Sequence, residues 1–150
     1  MTVPDPNDSD PIESLAVAIN AHDPRRIAAC FTEDYRAETP HRPAEGFVGS
    51  DRVHANWTAI LARLPDLRAR VLRRATAGPE LWSEWDMTGT GPDGGAVVLC
   101  GPVIMTTRDG RIDRARFYLS AVTDPGPAVA DDRRGLAASS PGDEPEAGGR

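Results

Sequence analysis

The chain contains no lysine; all 17 basic residues among its 150 are arginines. Schiff-base chemistry and catalysis by a lysine amine are thereby excluded, and a GC-rich coding bias accounts for the absence. Cysteine is scarce, with only Cys30 and Cys100. They lie far apart in apolar surroundings, Ile27-Ala-Ala-Cys30-Phe31 and Val97-Val-Leu-Cys100. Neither has metal-ligand spacing to a histidine or a second cysteine, so buried free thiols in a reducing compartment are expected. There is no apolar run of about 18 residues, the length a membrane helix needs. The opening Met1-Thr-Val-Pro-Asp-Pro6 has neither a basic nor an apolar signal region, which predicts a cytoplasmic location and no membrane partner. Phosphate loops, nucleophile elbows and zinc motifs are also missing, and no cofactor or metal is expected.

Positive charge is short as well. The formal net charge is −6, but its placement matters more than its size. Asp5, Asp8 and Asp10 make the start acidic. Six acids from Asp124 to Glu146 outnumber Arg133, Arg134 and Arg150 at the other end. Residues 11–123 balance, which argues against a nucleic-acid partner. The arginines at Arg63, Arg68, Arg70, Arg73 and Arg74 have no aromatics between them and read as a solvated edge or a dimer rim.

What is present is a clear element pattern. Residues 1–9 are expected to be a disordered tail, 10–123 one folded domain, and 124–150 a disordered acidic tail. Asp10-Pro11 and Asp23-Pro24 each pair an N-cap residue with a proline suited to the first helical position. Ile12, Leu15, Ala16 and Ile19 form the apolar stripe of the first helix, and Ile27, Cys30 and Phe31 point inward from the second. Tyr35 to Thr39 alternates as a short strand. After a loop rich in proline and glycine, a third helix capped by Ser50 or Asp51 carries the stripe Val53, Trp57, Ile60, Leu61 and Leu64. Leu67 to Ala77 reads as a strand. Three more follow: Leu81 to Thr90, Ala96 to Arg108, and Arg111 to Val122. Asp109-Gly110 between the last two is a strong hairpin signal, since both positions tolerate positive φ. Helices on one side of a curved antiparallel sheet give an α+β fold with a conical cavity between the layers.

The stretches Ala18-Ile-Asn-Ala-His22-Asp23 and Ile27-Ala-Ala-Cys-Phe-Thr-Glu-Asp-Tyr35 resemble the opening of nuclear transport factor 2-like proteins. Gly46-Phe-Val-Gly49, Trp85-Asp-Met-Thr-Gly-Thr90 and Arg108-Asp-Gly-Arg-Ile112 are similar to the same superfamily, which includes ketosteroid isomerases, SnoaL-like polyketide cyclases and limonene-epoxide hydrolases. The resemblance spans about residues 11–122. It implies a cone-shaped α+β barrel, an internal pocket for a small-molecule ligand, and a homodimer. It does not carry over a reaction. The ketosteroid isomerase tyrosine, general-base aspartate and second aspartate fall on Leu15, Thr39 and Pro102. The SnoaL-like tryptophan and late acid fall on Arg116 and Ser120. The hydrolase Asp-Arg-Asp network has no matching spacing.

Other residues are therefore the candidates. The resemblance turns Arg116, Tyr118 and Ser120 of the last strand toward the pocket. Trp82 and Glu84 are expected to face inward beside them, with Glu84 and Arg116 paired across strands. Such a pair either orients a substrate oxygen through the guanidinium fork or merely satisfies itself. Glu38 and His41 are candidate general acid and base, against the reading that both are simply exposed. Tyr35, Asn56 and Trp57 complete the substrate-binding set, although Trp57 also continues a core stripe. Two function classes remain open: a cofactor-independent isomerase, cyclase or hydratase acting on an apolar oxygenated metabolite, and a non-catalytic binding or dimeric interaction module.

Overall fold

A computed structural model describes residues 10–123. The expected tails, 1–9 and 124–150, lie outside the described residues. Helix α1 (Pro11–Asn20) begins where the Asp10 side chain accepts from the Ile12 amide at 3.0 Å, and α2 (Pro24–Ala29) begins at Asp23, which accepts from Arg25 at 3.0 Å. Both are the sites that the Asp-Pro pairs predict, because the carboxylate satisfies an amide that the helix leaves free and proline has none to leave.

Strand β1 (Phe31–Glu38) starts four residues earlier than expected. A short 3-10 turn, Pro43–Glu45, leads to the two-residue β2 (Phe47–Val48). Helix α3 (Ser50–Arg63) is capped at Gly49 (φ +104°), with no side-chain cap; Ser50 and Asp51 already belong to the helix. The strands β3 (Arg68–Ala77), β4 (Glu80–Thr90), β5 (Ala96–Arg108) and β6 (Arg111–Phe117) then run as successive hairpins. Asp109 and Gly110 take φ of +52° and +76°, the paired positive values of the tight turn that their sequence calls for.

The sheet order is β2-β1-β6-β5-β4-β3. Its pairings are antiparallel except one: β1 runs parallel to β6, with Ala37 opposite Ala115. The last strand also departs from expectation. It stops at Phe117, and a two-residue β7 (Ser120–Ala121) resumes pairing at Leu99 and Cys100 of β5. Tyr118 and Leu119 cross over Gly101 between the two segments. A Cβ added at Gly101, whose φ is +145°, would sit 2.5 Å from the Tyr118 carbonyl oxygen. Only glycine lets the two backbones approach so closely.

The helices lie on one face of the sheet, and the core fills the space between. Ile12, Ile19, Ile27, Tyr35, Leu67, Trp85, Val103, Met105 and Ile112 are its largest fully buried side chains. Asn20 ties the end of α1 to β3 by bonding both backbone groups of Ala69, donating at 2.9 Å and accepting at 2.8 Å. His22, in a left-handed turn, places Nε2 2.6 Å from the Leu67 carbonyl. These two polar residues are joints between layers. Cys30, expected to be buried, is half-buried, its thiol raised in pKa by desolvation. Cys100, in contrast, is exposed, because β5 alternates and its neighbour Leu99 takes the inward position.

Candidate functional site

A cavity of about 430 Å³ lies between the helices and the sheet, within the usual range of roughly 300–1,000 Å³ for small-molecule sites. Helix α3 supplies one wall through Val53, Asn56, Trp57, Ile60 and Arg63, which recur at three- and four-residue spacing and so share one face, continued by the C-cap Leu64. Opposite stand Trp85 and Met87 from β4 and Val97, Leu99, Val103 and Met105 from β5. Leu15, Ile19, Phe31, Tyr35 and Phe117 fill in around them.

Exposure is graded along the cavity. Leu15, Ile19, Phe31, Tyr35, Trp85, Val103 and Met105 are buried, marking the deep end, whereas Ile60, Arg63 and Pro92 are exposed and mark the mouth. The mouth is thus framed by the last turn of α3 and the β4–β5 connection.

Polar groups on this wall are few. Among the described residues, no aspartate, glutamate, histidine or cysteine lines it. The Trp85 indole is internally committed: its Nε1 donates to Ser83 Oγ at 2.8 Å, and that hydroxyl donates to the Val103 carbonyl at 3.3 Å. Tyr35 is different. It is 1% exposed, and its buried hydroxyl bonds to no described group. Desolvation pushes its pKa strongly upward, so the phenol stays neutral and is available as a donor, not as a phenolate base. Leaving such a hydroxyl unbonded costs about 1–3 kcal/mol. Asn56 and Arg63, nearer the mouth, complete the polar set apart from the two indoles, Trp57 and Trp85.

Of the residues singled out in the sequence, Tyr35, Asn56 and Trp57 line the cavity. The other candidates do not. On β4 the inward phase is Ser83, Trp85 and Met87, all buried, so Trp82 (42% exposed) and Glu84 face away. Glu84 pairs with Arg73 Nε on β3 at 3.0 Å and forms no pair with Arg116. The last strand is reversed in the same way. Val103 lines the cavity and stands opposite Phe117, so Phe117 and Leu119 point in, while Arg116, Tyr118 and Ser120 take the other phase.

Glu38 and Arg116 form one pair and His41 and Tyr118 another, both away from the cavity wall. Glu38 accepts from Arg114 at 2.5 Å and pairs with Arg116 Nε at 3.4 Å. His41 is exposed and stacks on Tyr118, with ring centroids 6.3 Å apart. Sequence reasoning missed Arg63, hidden among neighbouring arginines. Its spacing was the available signal: seven residues after Asn56 and three after Ile60, it continues the cavity face of α3. Among the described residues, no group of three or more His, Cys, Asp or Glu is placed to hold a metal ion, and no helix is long and apolar enough to cross a membrane.

Residues 12–115 match the family model described as SnoaL-like domain. The chain belongs to the SnoaL-like family. No curated protein matches it. Solved structures similar to this SnoaL-like chain include AclR from Streptomyces galilaeus, a proposed hydroxylase, with a TM-score of 0.66 at 16% identity over 86% of this chain and 90% of that one. A proposed polyketide cyclase from Sinorhizobium meliloti gives 0.58 at 21% identity, covering 74% of this chain and 94% of its own. A Catenulispora acidiphila protein of ketosteroid isomerase-like fold, solved with trimethylamine, gives 0.61 at 17% identity, covering 73% and 85% respectively. At these identities the likeness establishes the nuclear transport factor 2-like fold and leaves the chemistry to the cavity itself.

Proposed function

We propose that this SnoaL-like protein binds an apolar, oxygen-bearing small molecule inside the cone, and that it works as a binding module and not as a general acid–base catalyst. One observation carries the reading: the cavity wall is largely apolar and, among the described residues, holds no carboxylate or imidazole. Isomerisation, cyclisation or hydration by acid–base chemistry needs a proton-transferring group within hydrogen-bond reach of the substrate. Glu38 and His41, the sequence candidates for that role, are absent from the wall, and Glu38 is occupied by two arginines. The neutral Tyr35 phenol and the Asn56 amide are instead suited to hold a carbonyl or hydroxyl oxygen, and the aromatic lining suits a ring system.

The test is a fluorescence titration of the full chain with N-phenylnaphthylamine, a neutral apolar probe, alongside Val97→Trp, which plugs the cavity near its mouth. Saturable binding by the natural protein and its loss in the folded variant are expected. Equal binding by both, or none by either, removes the proposal. Native mass spectrometry of the purified protein reads any co-purifying molecule and, independently, whether the chain is the homodimer that the superfamily resemblance leads us to expect. Steady conversion of such a co-purified compound by the protein would replace the binding reading with the catalytic one.

A further inference from the structure

Resting on that reading of the cavity, we propose that the ligand is an amphiphilic anion. Its apolar body lies in the cone, and a single acidic head, such as a carboxylate or sulfonate, sits at the mouth against Arg63. Among the described residues that line the cavity, Arg63 is the one charged side chain. Arg63 stands at the exposed end of the burial gradient, in the last turn of α3, and makes no ion pair with another described residue. Seven of the thirteen other described arginines form ion pairs, among them Arg73–Glu84, Arg70–Asp86 and Arg114–Glu38; what sets Arg63 apart is its place on the cavity wall.

Two carboxylates lie near the mouth without lining it, and both are held by their own surroundings. Asp66 accepts from the Thr90 amide at 2.8 Å and from its hydroxyl at 2.7 Å, and these bonds lower its pKa. Asp93 accepts from the Gly95 amide at 3.0 Å within the β4–β5 connection. The α3 C-terminus itself carries a partial negative charge of about one half, which reduces the field of Arg63 without cancelling it. A guanidinium is weakly hydrated and presents paired donors to a planar acid group, so it suits the edge of an apolar cleft better than an ammonium does. A neutral body below and an anion above thus meet complementary surfaces at both ends.

The experiment compares two probes of one skeleton, N-phenylnaphthylamine and its anionic counterpart anilinonaphthalene sulfonate, on the natural protein, Arg63→Gln and Arg63→Lys. Arg63→Gln is expected to weaken the sulfonate at least about fivefold while leaving the neutral probe unchanged. Arg63→Lys restores part of the loss. Added salt weakens sulfonate binding to the natural protein and has little effect on Arg63→Gln, because an exposed ion pair is screened. Unchanged sulfonate affinity in Arg63→Gln overturns the anionic assignment while the cavity reading stands. Failure of the neutral probe to bind any variant overturns the cavity reading itself. Parallel loss of both probes in Arg63→Gln shows a damaged wall, and it too counts against a head-group contact.

Discussion

The two faces of this sheet are made by the same strands, one residue apart, and they obey different chemistry. On β4 the inward residues Ser83, Trp85 and Met87 are buried, and the one indole donor among them is satisfied within the wall. The outward residues Glu84 and Asp86 pair with Arg73 and Arg70 of β3 at 3.0 Å each. An ion pair that reaches water gains little, because solvent screens it and ordering two long side chains costs entropy. A donor left unbonded inside has no such relief. The charged face therefore looks richer in chemistry, yet the sparse inner face is where a single hydroxyl can decide binding.

The widest separation between the faces is expected from the two tryptophans of β4. Trp85→Ala opens a cavity, removes the indole donor to Ser83 Oγ, and should cost about 3–5 kcal/mol in urea unfolding. Trp82→Ala should cost less than about 1 kcal/mol, as exposed positions usually do. Comparable losses for the two would break the distinction. Tyr35→Phe sharpens it from the other side. Removing a hydroxyl that bonds nothing should leave stability unchanged or raised by up to about 1 kcal/mol. In the same variant the affinity for Prodan, a naphthalene ketone, should fall several-fold while N-phenylnaphthylamine binds as before. A clear loss of stability would show that the hydroxyl has a structural partner. The smallest effect belongs to Glu84→Gln, which breaks the pair with Arg73 and should change stability by no more than about 1 kcal/mol, the usual range for exposed pairs. Probe binding should not respond at all; a measurable response would tie the outer face to the site.

Much of the scaffold was legible because its signals are local. Asp10-Pro11, Asp23-Pro24 and Asp109-Gly110 each mark a boundary through the chemistry of two adjacent residues, and the structure turns or begins helices at all three. The phase of the strands was not legible in that way. Both phases of β4 carry one tryptophan and at least one polar residue, so alternation alone does not choose between Trp82 with Glu84 and Ser83 with Trp85. What chooses is the burial of Ser83 Oγ between the Trp85 indole and the Val103 carbonyl, a contact between strands. Register shifts add to the difficulty: β1, β3 and β5–β6 each contain an irregularity that no hydrophobic pattern announces. The choice of site residues inherited these errors, which is why Tyr35, Asn56 and Trp57 fall on the cavity wall and Glu84, Arg116 and Tyr118 do not.

The single parallel pairing has a consequence for how the chain reaches this state. Phe31 and Ala37 of β1 find their partners at Ile112 and Ala115, nearly the whole domain later. The successive hairpins of β3 to β6 form from neighbours, whereas β1 must wait for β6, and the entropy of closing so long a loop falls on that one step. A nascent chain that has not yet released β6 presents β1 with an open edge beside two helices, the kind of edge that recruits foreign strands. Completion of the domain is thus delayed until its final long strand arrives, and substitutions at the Ala37–Ala115 seam should act on the folding yield before they act on anything the cavity does.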